Sequence, residues 1–513
     1  MAGSAAGRGN PVADLLLAAA TTAPNAPAVR LPDLPGEPVL TYHDLDAQSA
    51  AIAHVLASQG VVPGERVALL AGKSATVLLL HLACLRVGAV LLPLNPAYTD
   101  AEVDALLADG DPRLVVVDPT RTAVARTRPR LTLAADGSGT LLAKSRAWSE
   151  APFDTVRRAG GDPAAMLYTS GTTGRPKAAV LSHENLVANA RTLVGAWGFT
   201  EHDVLLHVLP LFHTHGLFVA AHCALASGSE LVLRTRFDPD QVVADLGRVT
   251  VLMGVPTHYT RLLASPGFDR ASTARVRLFT SGSAPMLVET HRAVQQRTGH
   301  TVLERYGMTE TGMQTSNPLL GERRIGTVGP ALPGVGLRVV DELDQVLPPG
   351  DVGAVQVRGP NVFDGYWRRP ELRVGEFTTD GWFRTGDLGH LDADGYLELV
   401  GRSKDLIISG GLNVYPKEVE GVLDDLPGVH ESAVVGVPDA DFGEAVVAIV
   451  APESGIELDP DQVRGAARER LAGYKVPKRV VVMDALPRNA MGKVEKARLR
   501  EQIAPAPDDG TQR

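Results

Sequence analysis

The chain reads as an α/β protein with a large N-terminal domain of mainly parallel α/β sheets and a small α+β C-terminal domain. Three observations carry this. Up to about residue 400, short runs rich in Val and Leu alternate with helical stretches, the pattern of strands buried on both faces by crossover helices. Many runs end in Gly, Pro or Ser, as at the carboxyl edge of a sheet. The length, 513 residues, exceeds what one ordinary core supports, so at least two domains are expected.

Leu15 to Ala28 (LLLAAATTAPNAPA) has a faint look of a secretory signal. Its apolar run is short, Asp14 abuts it, and only Arg8 precedes it as a basic residue. An amphipathic helix followed by a Pro-rich turn is the better reading. The runs RVALLAG, AVLLPL, RLVVVD, AAMLYTS, DVLLHVLP, SELVLRT, VTVLMGVP and RVRLFTSG follow as strands. Val77 to Leu94 is very apolar, but His81 and Arg86 interrupt it and Gly88 breaks it. It predicts a buried helix and then a buried strand rather than a membrane span.

The texture changes near Gly401. GRSKDLIISGG leads into a helix (YPKEVEGVLDDL), two strands (ESAVVGVP, EAVVAIVAP), a helix and a strand (KRVVVMDAL). The predicted domains are therefore 12–402 and 403–503, with residues 1–11 and the tail 504–513 (APAPDDGTQR) disordered.

The chain is 44% apolar and 21% charged, with a net charge of −9. That balance gives no reason to expect a nucleic-acid or membrane partner, so a polyanion such as ATP must be met by a local site. The cysteines Cys84 and Cys223 form no metal or disulfide pattern and fit a reducing, cytoplasmic setting. A monomer or weak dimer is expected.

Ser/Thr/Gly clusters fall at predicted strand ends, where open α/β sheets bind ligands. In YTSGTTGRPK, Gly171 and Gly174 permit close backbone approach. Thr169, Ser170, Thr172 and Thr173 supply hydroxyls, and Lys177 a cation. This is not a Walker loop, because Pro176 precedes the lysine and Ala178 follows it. In ERYGMTETG, Tyr306 suits a purine face, Thr309 a phosphate oxygen and Glu310 a magnesium ion. The segment alone reads equally as a capped helix start. Asp387, in a T-G-D turn, suits ribose hydroxyls, and Arg402 follows it at the domain boundary. Lys493 follows Gly492 in PRNAMGK, which a solvated charged helix does not explain.

In this order and over nearly the whole chain, YTSGTTGRPK, YGMTE, RTGD, GRSKD-x-I-x-x-GG and PRNAMGK resemble the adenylate-forming superfamily of acyl-CoA synthetases, adenylation domains and luciferases. The resemblance implies ATP, Mg²⁺ and coenzyme A. It places Thr169 to Lys177 on the β- and γ-phosphates. Gly282, Ser283, Ala284 and Pro285 would wall the adenine with Tyr306 and Gly307. Thr309 would contact the α-phosphate, Glu310 the magnesium, and Asp387 and Arg402 the ribose. Lys493 would bridge the attacking carboxylate and the α-phosphate. Lys404 would lie at a hinge about which the C-terminal domain turns, and Gly410 and Gly411 beside the pantetheine tunnel.

LPLFHTHGLFVA, GVPTHYTRLL, TSGSAPM and ERYGMTETGMQTSNP resemble malonyl-CoA synthetases in particular. That implies a small dicarboxylic acid as substrate. Arg261 would grip the far carboxylate with two parallel hydrogen bonds, helped by Ser283. His213 and Thr214 would line the pocket, and Met308 would limit room at the α-carbon. Arg277, Arg292 and Arg323 are rival cations. A CoA ligase for another short or medium acid stays open. So does a free-standing enzyme loading a carrier protein, although no carrier domain or G-G-x-S serine follows Lys493. Ala178 stands where relatives usually have Gly, and AAVLSH reads as extended there.

Overall fold

The computed structural model describes residues 9–124, 126–169, 176–409, 412–439, 443–471, 473–489 and 492–503. Chain contacts divide into two units. One comprises Met1–Leu337, Val357–Phe383 and Asp394–Leu397; the other comprises Arg338–Gln356, Arg384–Ala393 and Glu398–Arg513.

The first unit holds two sheets of mostly parallel strands. One runs in the order Gly312–Ser316, Leu303–Met308, Leu278–Ser281, Val251–Gly254, Val204–His207, Glu230–Leu233, Pro27–Arg30, Val39–Thr41. Its pairs are parallel except at the two edges. The other runs Gly365–Tyr366, Lys177–Ser182, Pro163–Thr169, Val90–Pro93, Arg66–Leu70, Leu114–Val117, Arg130–Thr132. Every strand run anticipated in this part of the sequence is present. The run from Val77 is the buried helix Ala75–Val87, capped by Gly88 at φ 73°, and then the buried strand Val90–Pro93. Among the described residues no helix is long and apolar enough to cross a membrane.

The N-terminus begins with helices Pro11–Leu16 and Ala18–Thr22. Of the stretch expected to be disordered, residues 1–8 lie outside the described residues, as does the tail 504–513. Asn10 differs from that expectation. It is fully buried, its side chain accepts from Ala13 N as the N-cap, and its amide donates to Leu85 O and Val156 O. A buried amide with all these bonds made is structural.

ERYGMTETG is not a helix start. Leu303–Met308 is a strand whose antiparallel partner, Gly312–Ser316, follows directly, so Thr309 and Glu310 sit in the connecting turn. Gly307 is required there: a Cβ would lie 2.1 Å from Gly312 O. Ala178 lies inside the strand Lys177–Ser182, opposite Tyr168, and is not among the residues with positive φ. It is extended, as the sequence suggested.

The second unit contains the helix Pro416–Asp424, the long antiparallel pair Val429–Asp439 and Gly443–Pro452, the helix Pro460–Arg470 and the strand Arg479–Val482. This is the α+β order read from the sequence. Strands Gly336–Val340, Gly353–Arg358, Phe383–Leu391 and Leu397–Arg402 form a further four-stranded sheet that the sequence reading did not anticipate.

Candidate active site

Thr169 ends one strand and Lys177 opens the antiparallel strand beside it, the two facing each other in register. Between them, Ser170, Gly171, Thr172, Thr173 and Gly174 lie outside the described residues, so the loop is represented by its two anchors. Lys177 is buried. Its Nζ donates to Glu376 Oε1 at 3.0 Å and lies 5.0 Å above the Tyr366 ring. A buried ammonium needs such a partner, and a ring face adds to it.

Glu310 is the focus of the neighbouring turn. Its Oε1 accepts from Thr169 Oγ1 at 3.2 Å and from the Tyr366 hydroxyl at 3.0 Å. Thr169, Lys177, Glu310 and Tyr366 thus form one polar cluster, though they are spread over almost two hundred residues of chain. A single carboxylate in this setting is the donor type that Mg²⁺ takes together with substrate phosphates. Among the described residues no group of three or more His, Cys, Asp or Glu could hold a metal by itself.

Tyr306, mostly buried, lies on the strand that leads into this turn, followed by Gly307, Met308 and Thr309, all partly exposed. Gly282, Ser283, Ala284 and Pro285 follow the neighbouring strand Leu278–Ser281. Two features mark this second loop. Ser283 has φ 70°, a left-handed conformation that costs a non-glycine residue about 1 kcal/mol or more. At Gly282 a Cβ would meet the Arg305 guanidinium at 2.4–2.9 Å, so any other residue there would have to displace that side chain.

Around that loop gathers a group of basic and hydroxyl side chains. Ser283 Oγ lies 3.3 Å from His215 Nδ1. His213 Nδ1 accepts from His215 N at 3.2 Å. Thr214 is buried and leads into a π-helical turn, His215–Ala221, a local distortion often found at functional sites. Burial, with the Arg305 charge next in importance, holds His215 well below its usual range and therefore neutral. His258 stacks on Phe237 with ring centroids 4.0 Å apart; burial first, then the Arg261 charge, lower it to about 3. Lys73 Nζ donates to His207 O at 2.9 Å.

Arg261 stands exposed on the last turn of the helix Pro256–Ala264, three residues beyond His258. Of its rivals, Arg277 is committed to Asp203 at 2.7 Å and to the carbonyls of Trp197 and Gly198. Arg323 is committed to the carbonyls of Thr301, Pro318 and Leu319. Both therefore have structural work already. Arg292 is exposed.

In the second unit Arg402 Nε meets Asp387 Oδ1 at 2.9 Å, and Asp387 is 5% exposed. The two expected ribose contacts are thus neighbours. Lys493 is exposed at the foot of a tight turn, where Asn489 N donates to Lys493 O at 2.9 Å and Lys493 N donates to Asn489 Oδ1 at 3.1 Å. The turn fixes the lysine backbone. Lys404 lies in a 3₁₀ turn, Ser403–Asp405; its side chain, and Gly410 and Gly411, lie outside the described residues.

Several residues of this arrangement were not singled out from sequence. His215, His258 and Arg305 lie inside the quoted segments LPLFHTHG, GVPTHYTRLL and ERYGMTE, so the signal was present. Lys73, Tyr366 and Glu376 reach the site from distant segments and carry no local signal.

The chain belongs to the AMP-binding enzyme family, which matches residues 16–367, with the AMP-binding enzyme C-terminal domain matching residues 418–493. It is an adenylate-forming acid–thiol ligase of the acyl-CoA synthetase type. It is similar to ATP-bound MatB from Rhodopseudomonas palustris, with a TM-score of 0.92 and 49% identity over 96% of this chain and 98% of that one. A malonate–CoA ligase of Mus musculus is 36% identical over 91% of this chain and 87% of its own. A feruloyl-CoA synthase of an Amycolatopsis species is also 36% identical, over 94% and 97%.

Proposed function

We propose that this enzyme joins a short dicarboxylic acid to coenzyme A: malonate, or methylmalonate, with ATP and CoA gives malonyl-CoA or methylmalonyl-CoA, AMP and pyrophosphate through an acyl-adenylate. The observation that carries the choice of acid is the polar character of the group around Ser283. An aromatic or long-chain acid needs an apolar pocket, whereas here Ser283, His215, Thr214, His258, Arg261 and Arg305 converge. Similarity to a malonate–CoA ligase agrees with this reading, and the equal similarity to a feruloyl-CoA synthase leaves the choice of acid to the site.

The first half-reaction brings a carboxylate onto the α-phosphorus, anion against anion, so catalysis is mostly positioning and charge stabilisation. Thr309 donates to the α-phosphate, Tyr306 covers the adenine, and Asp387 with Arg402 orients the ribose. Lys177 holds the departing pyrophosphate together with the loop Ser170–Gly174. Glu310, oriented by Thr169 and Tyr366, would hold Mg²⁺, which when bound neutralises phosphate charge. Lys493 bridges the acid carboxylate and the α-phosphate. In the second half-reaction a thiol must reach the acyl carbon, where Lys493 would obstruct it. A C-terminal domain turning about Lys404 resolves that conflict and brings Gly410 and Gly411 to the thiol's path.

In this reading Arg261 meets the far carboxylate. Arg261→Ala is expected to lower kcat/KM for malonate by about 5-fold or more, from the roughly 1 kcal/mol that a well-formed pair at an exposed arginine contributes, and to affect propionate little. Equal losses on both acids, or none, would remove Arg261 from the role.

A further inference from the structure

Lys493 is carried by a small hairpin closed by the antiparallel bridge between Arg488 and Val494. Glu495 N donates to Pro487 O at 2.9 Å on one side of that bridge, and Gly492 N donates to Asn489 O at 2.9 Å on the other. Gly492 has φ 77°, a left-handed conformation that glycine takes freely. A glycine directly before the lysine is a pliable joint, so the peptide group between the two needs holding.

That peptide group is held at both ends. Its N–H, on Lys493, donates to Asn489 Oδ1 at 3.1 Å. Its carbonyl, Gly492 O, accepts from Arg488 Nη1 at 2.6 Å. The other terminal nitrogen of Arg488, Nη2, pairs with Glu431 Oε2. Glu431 lies on the strand Val429–Asp439, in register with Ala451 of the next strand, so the guanidinium ties the turn to the C-terminal sheet. The far side of the hairpin is tied in a similar way. Lys496, which opens the helix Lys496–Ile503, pairs with Glu420 Oε1 at 2.6 Å, and the same oxygen accepts from Val434 N at 2.8 Å. A third acid stands beside these two. Burial first, and the charges of Glu420 and Glu431 after it, push the Asp424 carboxyl up to about 7. Glu431 thus sits in an acidic neighbourhood that favours a cation against it, and Arg488 is that cation.

We infer that Arg488 is a positioning residue for Lys493, and that Glu431 holds Arg488 in place. Arg488 fixes the carbonyl of the joint ahead of the lysine, so an ammonium on a flexible four-carbon stem starts from one backbone orientation. A bridge between the acid carboxylate and the α-phosphate tolerates little misplacement: an error of about 1 Å costs on the order of 100-fold. This rests on the reading of Lys493 given above and adds the device that aims it.

The test measures the two half-reactions separately. Acid-dependent ATP–pyrophosphate exchange, with the acid that the wild type activates fastest, reads adenylation. Transfer from a synthetic acyl-adenylate of that acid to CoA reads the thiol step, which does not use Lys493. Lys493→Ala is expected to lose exchange and keep transfer. Arg488→Met should lose about tenfold or more in the kcat of exchange, while the KM values for ATP and acid and the rate of transfer stay within about threefold of wild type. Arg488→Lys reaches Gly492 O or Glu431 but not both, and should lose less. Glu431→Gln keeps a hydrogen bond without the charge, and should also fall in exchange alone. Should the Met variant not fold, these two carry the comparison. Equal losses in both half-reactions would make Arg488 a support of the whole domain, which serves both, and overturn the proposal. Unchanged exchange in a folded Arg488→Met would overturn it too. Either result leaves Lys493 in its role where Lys493→Ala loses exchange alone. If Lys493→Ala keeps exchange, the reading of Lys493 fails, and the role of Arg488 with it.

Discussion

Glu376→Gln separates two effects that usually move together. Glu376 holds Lys177 at 3.0 Å, with side-chain exposures of 25% and 9%. At an effective dielectric constant of 20, the direct attraction at that distance is about 5–6 kcal/mol. Desolvation of both ions offsets most of it, leaving a net of about 1–2 kcal/mol for a partly buried pair. If Lys177 serves ATP's terminal phosphates, ATP must take it from Glu376 and forgo that net energy. Removing the carboxylate should then lower the KM for ATP by about 5- to 30-fold. Without ligand, the same variant should be less stable by about 1–3 kcal/mol, because a buried ammonium loses its counter-ion. The assay is KM for ATP at saturating acid and CoA, beside a ligand-free melting curve. A folded variant whose KM for ATP is unchanged or raised would refute the assignment of Lys177 to the phosphates.

Two further outcomes follow from local structure. Ala178 is extended within a strand, so Ala178→Gly should cost about 0.5–1 kcal/mol of stability by denaturant titration; a gain in stability would contradict the strand argument. The buried pair His81–His222, Nε2 to Nε2 at 2.9 Å, should make the fold acid-sensitive. Burial, helped by the charge of His183, lowers His81 to about 3 from 6.5. Above 6.5 both folded and unfolded chains carry the ring neutral. Below it the unfolded chain takes a proton that the folded one refuses, so stability is lost as pH falls from 6.5 toward 3. The slope is about 1.4 kcal/mol per pH unit for each such histidine. His81→Leu should remove one histidine's share between pH 6 and 5, and an unchanged slope would sink the argument.

Strand positions in the two large sheets were legible because each is a short Val- and Leu-rich run ending in a turn former, as VTVLMGVP shows at Val251–Gly254. The sheet built from Gly336 to Arg402 was not. Its strands carry mixed burial, as in Gly336–Val340, where only Val339 and Val340 are buried, so no periodicity announces them. ERYGMTETG could not be assigned from its composition, since the same residues suit a helix start. The close approach of Gly307 to Gly312 O, a contact of tertiary structure, makes it a hairpin. Site residues inside contiguous motifs were visible. Their partners were not: Tyr366 is 56 residues from Glu310, and Glu376 is 199 from Lys177.

The most direct measurement is CoA-dependent AMP release over malonate, methylmalonate, succinate, acetate, octanoate and 4-coumarate. The account predicts the highest kcat/KM for malonate or methylmalonate, with the corresponding acyl-CoA as product. A best rate on acetate, octanoate or 4-coumarate would contradict it.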